Sequence, residues 1–173
     1  MSTTYGSFPE PRIHAKEAFA TTTSSHRTIQ QKLVEVLQDV NCRKFSFEDF
    51  GNPTIPGCTV IFEVGIADSN NFTFIDEQEA KKVLAAVRKE PFGVMDFFCA
   101  IRYYRDYASI KKPLRFDYYI TRFVFDESII EVQVFHERGP RYFSPKDMVL
   151  FLIDRINATS VRKILKKIQQ PTD

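Results

Sequence analysis

The residues best suited to binding another molecule are concentrated in positions 102–122, which read RYYRDYASIKKPLRFDYYITR. This segment holds six basic residues, five of the chain's seven tyrosines and only two acidic residues. Tyrosine rings stack on unpaired bases while arginine and lysine neutralise phosphates, and tyrosine and arginine are also enriched in protein interfaces. The segment therefore predicts a binding surface for a protein or for single-stranded nucleic acid, with a plain solvated surface as the third alternative. The predicted binding residues are Arg102, Tyr103, Tyr104, Arg105, Tyr107, Lys111, Lys112, Arg115, Tyr118, Tyr119 and Arg122.

A second, smaller group of cations surrounds the Gly139 and Pro140 turn. His136, Arg138 and Arg141 lie within six positions of one another. Such a group can hold a phosphate or a carboxylate. A solvated turn is the more common role for charged residues in this setting, so both interpretations stay open.

Motifs for cofactor or metal binding do not occur in the sequence. The six glycines are scattered and form neither a dinucleotide-binding fingerprint nor a phosphate loop. The three cysteines and three histidines contain no pair at the close spacing that a zinc site requires. We therefore predict no cofactor and no metal.

Cys99 and a few acidic residues are the remaining candidates for chemistry. A nucleophilic Cys99 needs a histidine, and His136 is the one histidine inside the predicted domain that can reach it. The hydrophobic surroundings of Cys99 favour a buried thiol that packs as a small apolar side chain. Acidic residues in predicted strands are Glu63, Asp96, Asp117 and Glu131, and such residues are mostly solvated or paired with arginine. The sequence thus leans away from an enzyme without excluding one.

The composition is that of an ordinary globular chain. Its 173 residues are 43% hydrophobic and 27% charged, which supports one domain with its own core. A net charge of +2 generates no global field toward nucleic acid or membranes. Residues 1–20 lack the features of a secretory or organelle signal, and the odd, widely spaced cysteines indicate reduced thiols. We expect a cytoplasmic protein.

The periodicity of the sequence predicts most of the elements. Residues 1–23 are rich in serine and threonine and show no period, so we expect a flexible N-terminal arm before a single α+β domain in residues 24–173. Helices are predicted from Ser24 or Ser25 to about Asn41, after Asp76, and after Ser144, each from an N-capping residue and apolar residues at helical spacing. Strands are predicted over residues 58–67, 72–75, 92–107, 115–125 and 129–136. A basic amphipathic helix is predicted over residues 161–168.

These elements predict an antiparallel sheet of about five strands with helices packed on one face. Residues 58–89 and 115–157 share a layout of two strands and a capped helix, which a duplicated ββα unit would produce. The favoured function is a non-catalytic protein-interaction module, an adaptor or a subunit of a larger assembly, with a homodimer through the tyrosine-rich hairpin as its simplest form. A single-stranded nucleic-acid binder is the alternative, and an enzyme of unrecognised type comes third.

Overall fold

Three N-capped helices begin at the positions that the sequence predicts. The computed structural model describes residues 13–22, 24–50, 54, 56–68, 71–107 and 110–168, with the backbone alone for residues 68, 106, 107, 110 and 111. The helices are α1 (His26–Val40), α2 (Glu77–Lys89) and α3 (Pro145–Asn157). Their capping residues Ser25, Asp76 and Ser144 each accept a hydrogen bond from the backbone N–H three residues later. Each cap satisfies an amide that the helix itself leaves without a partner.

The described residues form nine strands in one antiparallel sheet. The strands are β1 (Ala15–Thr21), β2 (Lys44–Ser46), β3 (Cys58–Asp68), β4 (Asn71–Phe74), β5 (Val94–Tyr107), β6 (Ile110–Pro113), β7 (Asp117–Asp126), β8 (Ile129–Arg138) and β9 (Leu165–Lys167). Their order is β2-β3-β5-β7-β8-β1-β9, while β4 also pairs with β3 and β6 also pairs with β5. The fold is therefore mixed α+β as predicted, but the sheet is larger than the predicted five strands.

The additional strands lie where the sequence lacks a clear alternation. The predicted N-terminal arm is wrong for residues 15–21, because they form β1 and pair with both β8 and β9. The predicted C-terminal helix is also wrong. Its residues form a loop followed by β9, because backbone pairing with β1 outweighs their helical spacing. Residues 1–12 of the predicted arm lie outside the described residues.

The two stretches with a shared layout do fold with the same order of elements. The first consists of β3, β4 and α2, and the second consists of β7, β8 and α3. In each stretch two antiparallel strands precede the capped helix. The predicted strand over residues 92–107 is confirmed as β5, the central strand that pairs with β3 on one side and with β7 on the other.

Apolar side chains of α1 and α3 and of the strands β3, β5 and β7 meet around one small cavity. The cavity is lined by Leu37, Val40, Phe62, Val64, Phe97, Cys99, Thr121, Met148, Phe151 and Leu152. Beside it, the rings of Phe50, Phe62, Phe143 and Phe151 contact one another at centroid distances of 4.9 to 6.5 Å. The many phenylalanines of the sequence thus build much of this core.

Candidate functional site

The predicted binding segment is extended, but strand alternation divides its side chains between two environments. Positions 102–107 belong to β5, positions 110–113 to β6 and positions 117–122 to β7. Tyr103 and Tyr119 point into the core, and both side chains are fully buried. The prediction that these two tyrosines belong to an exposed surface is therefore wrong. Tyr104 and Tyr118, their neighbours in sequence, remain half-exposed.

The two buried tyrosines have structural partners. The Tyr103 hydroxyl donates to the carboxylate of Asp117 at 2.6 Å, and the Tyr119 hydroxyl donates to the carbonyl of Phe143. Burial raises the pKa of both phenols above the ordinary value. Both side chains therefore help to hold the turn between β8 and α3 in place, and neither is available to a ligand.

Asp117 is the centre of this buried network. Its carboxylate also accepts hydrogen bonds from the backbone N–H groups of Arg141 at 2.6 Å and Tyr142 at 2.9 Å, and it lies 2.8 Å from Nε2 of His136. The turn at Gly139 lies directly against the backbone of Phe116. A Cβ at Gly139, where φ is +114°, would collide with that backbone. A glycine is required there by both space and conformation.

The contacts of Asp117 also determine the arrangement of the predicted anion site around this turn. His136 is directed at the Asp117 carboxylate and is only 11% exposed. Arg138 and Arg141 are exposed, and neither forms an ion pair with another described residue. The structure thus brings the histidine to a carboxylate of the chain itself instead of to the two arginines.

The side of the sheet opposite the buried tyrosines, here called the outer face, carries paired charges. Arg102 lies 2.7 Å from Glu63, and its guanidinium stacks over the ring of Phe116 at 5.1 Å. A hydrogen bond with Tyr104 raises the pKa of Arg102 above its ordinary value. Arg122 makes two hydrogen bonds, at 2.9 and 3.1 Å, with the fully buried carboxylate of Asp96.

An apolar row, here called the outer stripe, crosses the outer face between these ion pairs. The strand register aligns Phe74 with Gly65, Gly65 with Phe98, Phe98 with Ile120, and Ile120 with Phe135. Residues directly opposite one another share a face of the sheet, so the stripe spans five strands. Phe74 is 47% exposed at its edge, and Phe98 and Phe135 are partly exposed.

Aromatic contacts broaden the outer stripe on both sides. The ring of Phe98 lies 5.4 Å from that of Phe72 and 5.7 Å from that of Tyr118. At the other end, His14 stacks on Phe135 with 5.2 Å between the ring centroids. β4 lies close to Gly65, because a Cβ there would lie 3.2 Å from the carbonyl oxygen of Thr73 and 3.3 Å from Phe72 Cβ. Among the predicted binding residues whose side chains the structure describes, Tyr118 is the one whose ring contacts the stripe.

The remaining predicted cations lie toward the end of β5. Arg105 is half-exposed, Lys112 and Arg115 are exposed, and none of them forms an ion pair with another described residue. The side chains of Tyr107 and Lys111 lie outside the described part of the structure. The predicted surface is therefore divided: its arginines at positions 102 and 122 are paired with acids, while these three cations are not.

Sequence reasoning missed the phenylalanines of the outer face, although a signal for them was present. The alternation that ends in Tyr103 assigns Phe98 and Tyr104 to the opposite side of β5, and the alternation of Phe72 and Phe74 is visible in β4. The number of tyrosines in the segment does not by itself show on which face of the sheet each one lies. The strand pairing that aligns Phe74 with Phe98 and Phe135 is set by tertiary structure.

Comparison with protein-family models, with curated proteins and with solved structures finds no match to this chain. The chemistry of the site must therefore be judged from its own residues. Burial raises the pKa of the Cys99 thiol, which keeps it protonated and unreactive at neutral pH. In the described ranges, no group of three or more His, Cys, Asp and Glu side chains is placed to hold a metal ion.

Proposed function

We propose that this protein is a non-catalytic protein-interaction module that binds its partner through the outer stripe. The observation that carries the proposal is the apolar row across five strands, in which Phe74 is exposed and Phe98 and Phe135 are partly exposed, while Gly65 and Ile120 between them are buried. Aromatic side chains dominate the energetics of protein interfaces because they remove a large apolar area from water at a small entropic cost. Large apolar side chains exposed together on one face are typical of interaction sites.

The arrangement of the helices supports this assignment. In this proposal the helices lie together on the face of the sheet opposite the outer stripe. The apolar residues of α1 and α3 line a cavity with Phe97, Cys99 and Thr121, which alternate with the outer-face residues Phe98 and Ile120. The helices therefore leave the outer face to a partner.

A second copy of the chain is the partner that fits this face best. Glu63 with Arg102, Asp96 with Arg122, and Lys16 with Glu131 already neutralise one another within one chain. Two copies of such a face can meet without an excess of like charge, and a sheet face is matched in shape by another sheet packed against it. The module thus becomes a homodimer, or a subunit of a larger assembly.

The pairing of the central arginines favours a protein partner over nucleic acid. Nucleic-acid binding requires lysine and arginine side chains that can neutralise phosphates. Arg102 and Arg122 already contact carboxylates of the chain itself. Arg105, Lys112 and Arg115 support the nucleic-acid alternative, because they form no ion pair with other described residues.

The proposal is tested by placing a charge in the outer stripe. We expect the wild-type chain to self-associate in size-exclusion chromatography with light scattering, and Phe74→Glu to lower the measured mass because the charge would be buried in the contact. Phe98→Glu should have the same effect at the centre of the stripe. Phe74 is 47% exposed in the single chain, so its variant should still fold, which circular dichroism would verify.

Ala85→Glu provides the matched control. It adds the same charge to the exposed side of α2 and should leave the mass unchanged. A wild-type chain that stays monomeric at every concentration, or a Phe74→Glu variant with an unchanged mass, would overturn self-association through the outer stripe.

A further inference from the structure

A groove is bounded by exposed residues of α3, and none of its lining residues belongs to the outer stripe. Its open volume is about 690 Å³, and α3, β2 and the 3₁₀ turn Phe47–Phe50 form its walls. The rings of Phe45, Phe50 and Phe151 form an apolar floor, and Leu150 is 38% exposed beside them. A cleft of this size and lining is suited to an apolar side chain from another molecule.

Three basic and three acidic side chains line this groove, and Asp39 beside it adds a fourth acid. Arg43 and Arg155 both pair with Asp39, at 3.1 and 3.7 Å, and both guanidinium groups stack on the ring of Phe45. These two cations are therefore already engaged within the chain, while Asp147 and Asp154 are the acids of the lining that remain open to a partner. Three aspartates and one lysine complete the charged lining: Asp49, Asp147, Asp154 and Lys44. Asp147 and Asp154 form no ion pair with another described side chain.

The loop that follows α3 has the complementary character. Val161 is fully exposed, at 105% of its reference surface, and it is followed by the exposed cations Arg162 and Lys163. No acidic residue occurs between Arg155 and Ile168. An apolar side chain is thus presented to solvent at the tip of a basic loop.

Hydrogen bonds fix the base of this loop. The side chain of Asn157 accepts from the backbone N–H groups of Ile164 at 3.0 Å and Leu165 at 2.9 Å, and it donates to the carbonyl of Leu165 at 3.1 Å. The Lys32 ammonium donates to the Thr159 hydroxyl at 3.1 Å. A loop held in this way loses little conformational entropy on binding, which favours its use as a contact.

We propose that this basic loop of one copy inserts Val161 into the groove of a second copy. Val161 then covers Leu150 and the phenylalanine floor, while Arg162 and Lys163 meet the acidic rim at Asp147 and Asp154. Ala158 lines the groove and also begins the loop. A twofold axis near Ala158 therefore lets each copy fill the groove of the other, which gives a closed, reciprocal contact. This contact uses different residues from the outer stripe and does not depend on it.

The test uses the full chain carrying Phe74→Glu, in which the outer stripe is blocked. Light scattering should still show a dimer, and adding Val161→Glu should halve the mass because the new charge faces aspartates. Asp147→Lys with Asp154→Lys should also give monomers, and combining them with Arg162→Glu and Lys163→Glu should restore the dimer. Ala85→Glu in the same background should leave the dimer intact.

The outcomes separate the two contacts. A monomeric Phe74→Glu chain, or a dimer that Val161→Glu does not dissociate, would overturn the contact between loop and groove. A wild-type dimer that dissociates on Val161→Glu but survives Phe74→Glu would support this contact while removing the one through the outer stripe. The charge-swapped chain distinguishes loss of folding from loss of charge complementarity. A chain that has lost its fold would not regain the dimer when the charges are exchanged on both sides of the contact.

Discussion

At the scale of single residues, Asp117 has the largest structural role. A carboxylate with no exposure to water is unfavourable unless it is fully hydrogen-bonded. Asp117 meets this requirement through Tyr103, His136 and the backbone N–H groups of Arg141 and Tyr142. The sequence predicts that Asp117, like the other strand acids, is solvated or paired with arginine; the structure instead buries it, and it anchors the turn before α3.

The buried phenols make stability sensitive to alkaline pH. Burial raises the pKa of Tyr119 above its ordinary value of about 10. At a pH between the pKa of the unfolded chain and the raised pKa of the folded chain, the unfolded chain therefore loses a proton that the folded chain retains. The unfolded state then binds fewer protons, and the free energy of unfolding falls as the pH rises above about 10. Urea unfolding at about pH 8 and about pH 10.5 measures this slope.

Tyr119→Phe should show a smaller decrease in stability between these two pH values, because the ionisable group is removed. Tyr104→Phe changes a half-exposed tyrosine on the same sheet and serves as the control, with the wild-type decrease expected. An unchanged decrease in Tyr119→Phe would contradict the assignment of the effect to this residue.

At the scale of elements, Asn41 joins the end of α1 to the edge of the sheet. Its side chain accepts a hydrogen bond from the backbone N–H of Val64 at 2.9 Å and donates to the carbonyl of Ile75 at 2.7 Å. The Val64 N–H lies in the part of the β3 edge that neither β2 nor β4 covers, since β2 pairs with residues 59–61 and β4 with residues 65–68, and Ile75 directly follows β4. Asn41 thus completes the edge without a further strand.

Asn41→Ala should lower the free energy of unfolding by about 1–3 kcal/mol, because it leaves partly buried backbone groups without partners. Denaturant unfolding measures the change, and Glu35→Ala on the exposed side of α1 is the control, with a change within about 0.5 kcal/mol. A loss no larger than that of the control would show that water replaces the side chain at this edge.

The elements also show what local sequence signals can and cannot predict. The three helices, the long strands and the hairpin of β7 and β8 were predictable because capping residues and alternation are properties of a few adjacent positions. β1 and β9 were missed because each is stabilised by its neighbour in the sheet, and the two lie at opposite ends of the chain. Their pairing is a long-range interaction that no local pattern contains.

At the scale of the whole molecule, charge distribution decides between the candidate partners. The net charge is only +2, and the outer face carries acids beside its arginines. Among the described residues, no helix is long and apolar enough to cross a membrane. Arg105, Lys112 and Arg115, which form no ion pair with other described residues, lie close together where β5 pairs with β6 and in the loop that follows.

We therefore expect weak binding of a labelled single-stranded oligothymidine at low salt and none at about 0.15 M salt, measured by fluorescence anisotropy, because few phosphates can be neutralised. Lys112→Gln with Arg115→Gln should abolish the low-salt binding, whereas Lys81→Gln with Lys82→Gln on α2 should not. Tight binding that persists at the higher salt would favour the nucleic-acid function over the protein partner.

The sequence by itself determined the mixed α+β class, the starts of the three helices and the extended conformation of the aromatic segment. These follow from capping chemistry and from side-chain periodicity along the chain. Only the tertiary structure decided that Tyr103 and Tyr119 are buried, that Arg102 and Arg122 are paired with acids, and that Phe74, Phe98 and Phe135 share one stripe. The physical reason is that burial and alignment depend on which strands are neighbours, and strand pairing joins residues that are far apart in the chain.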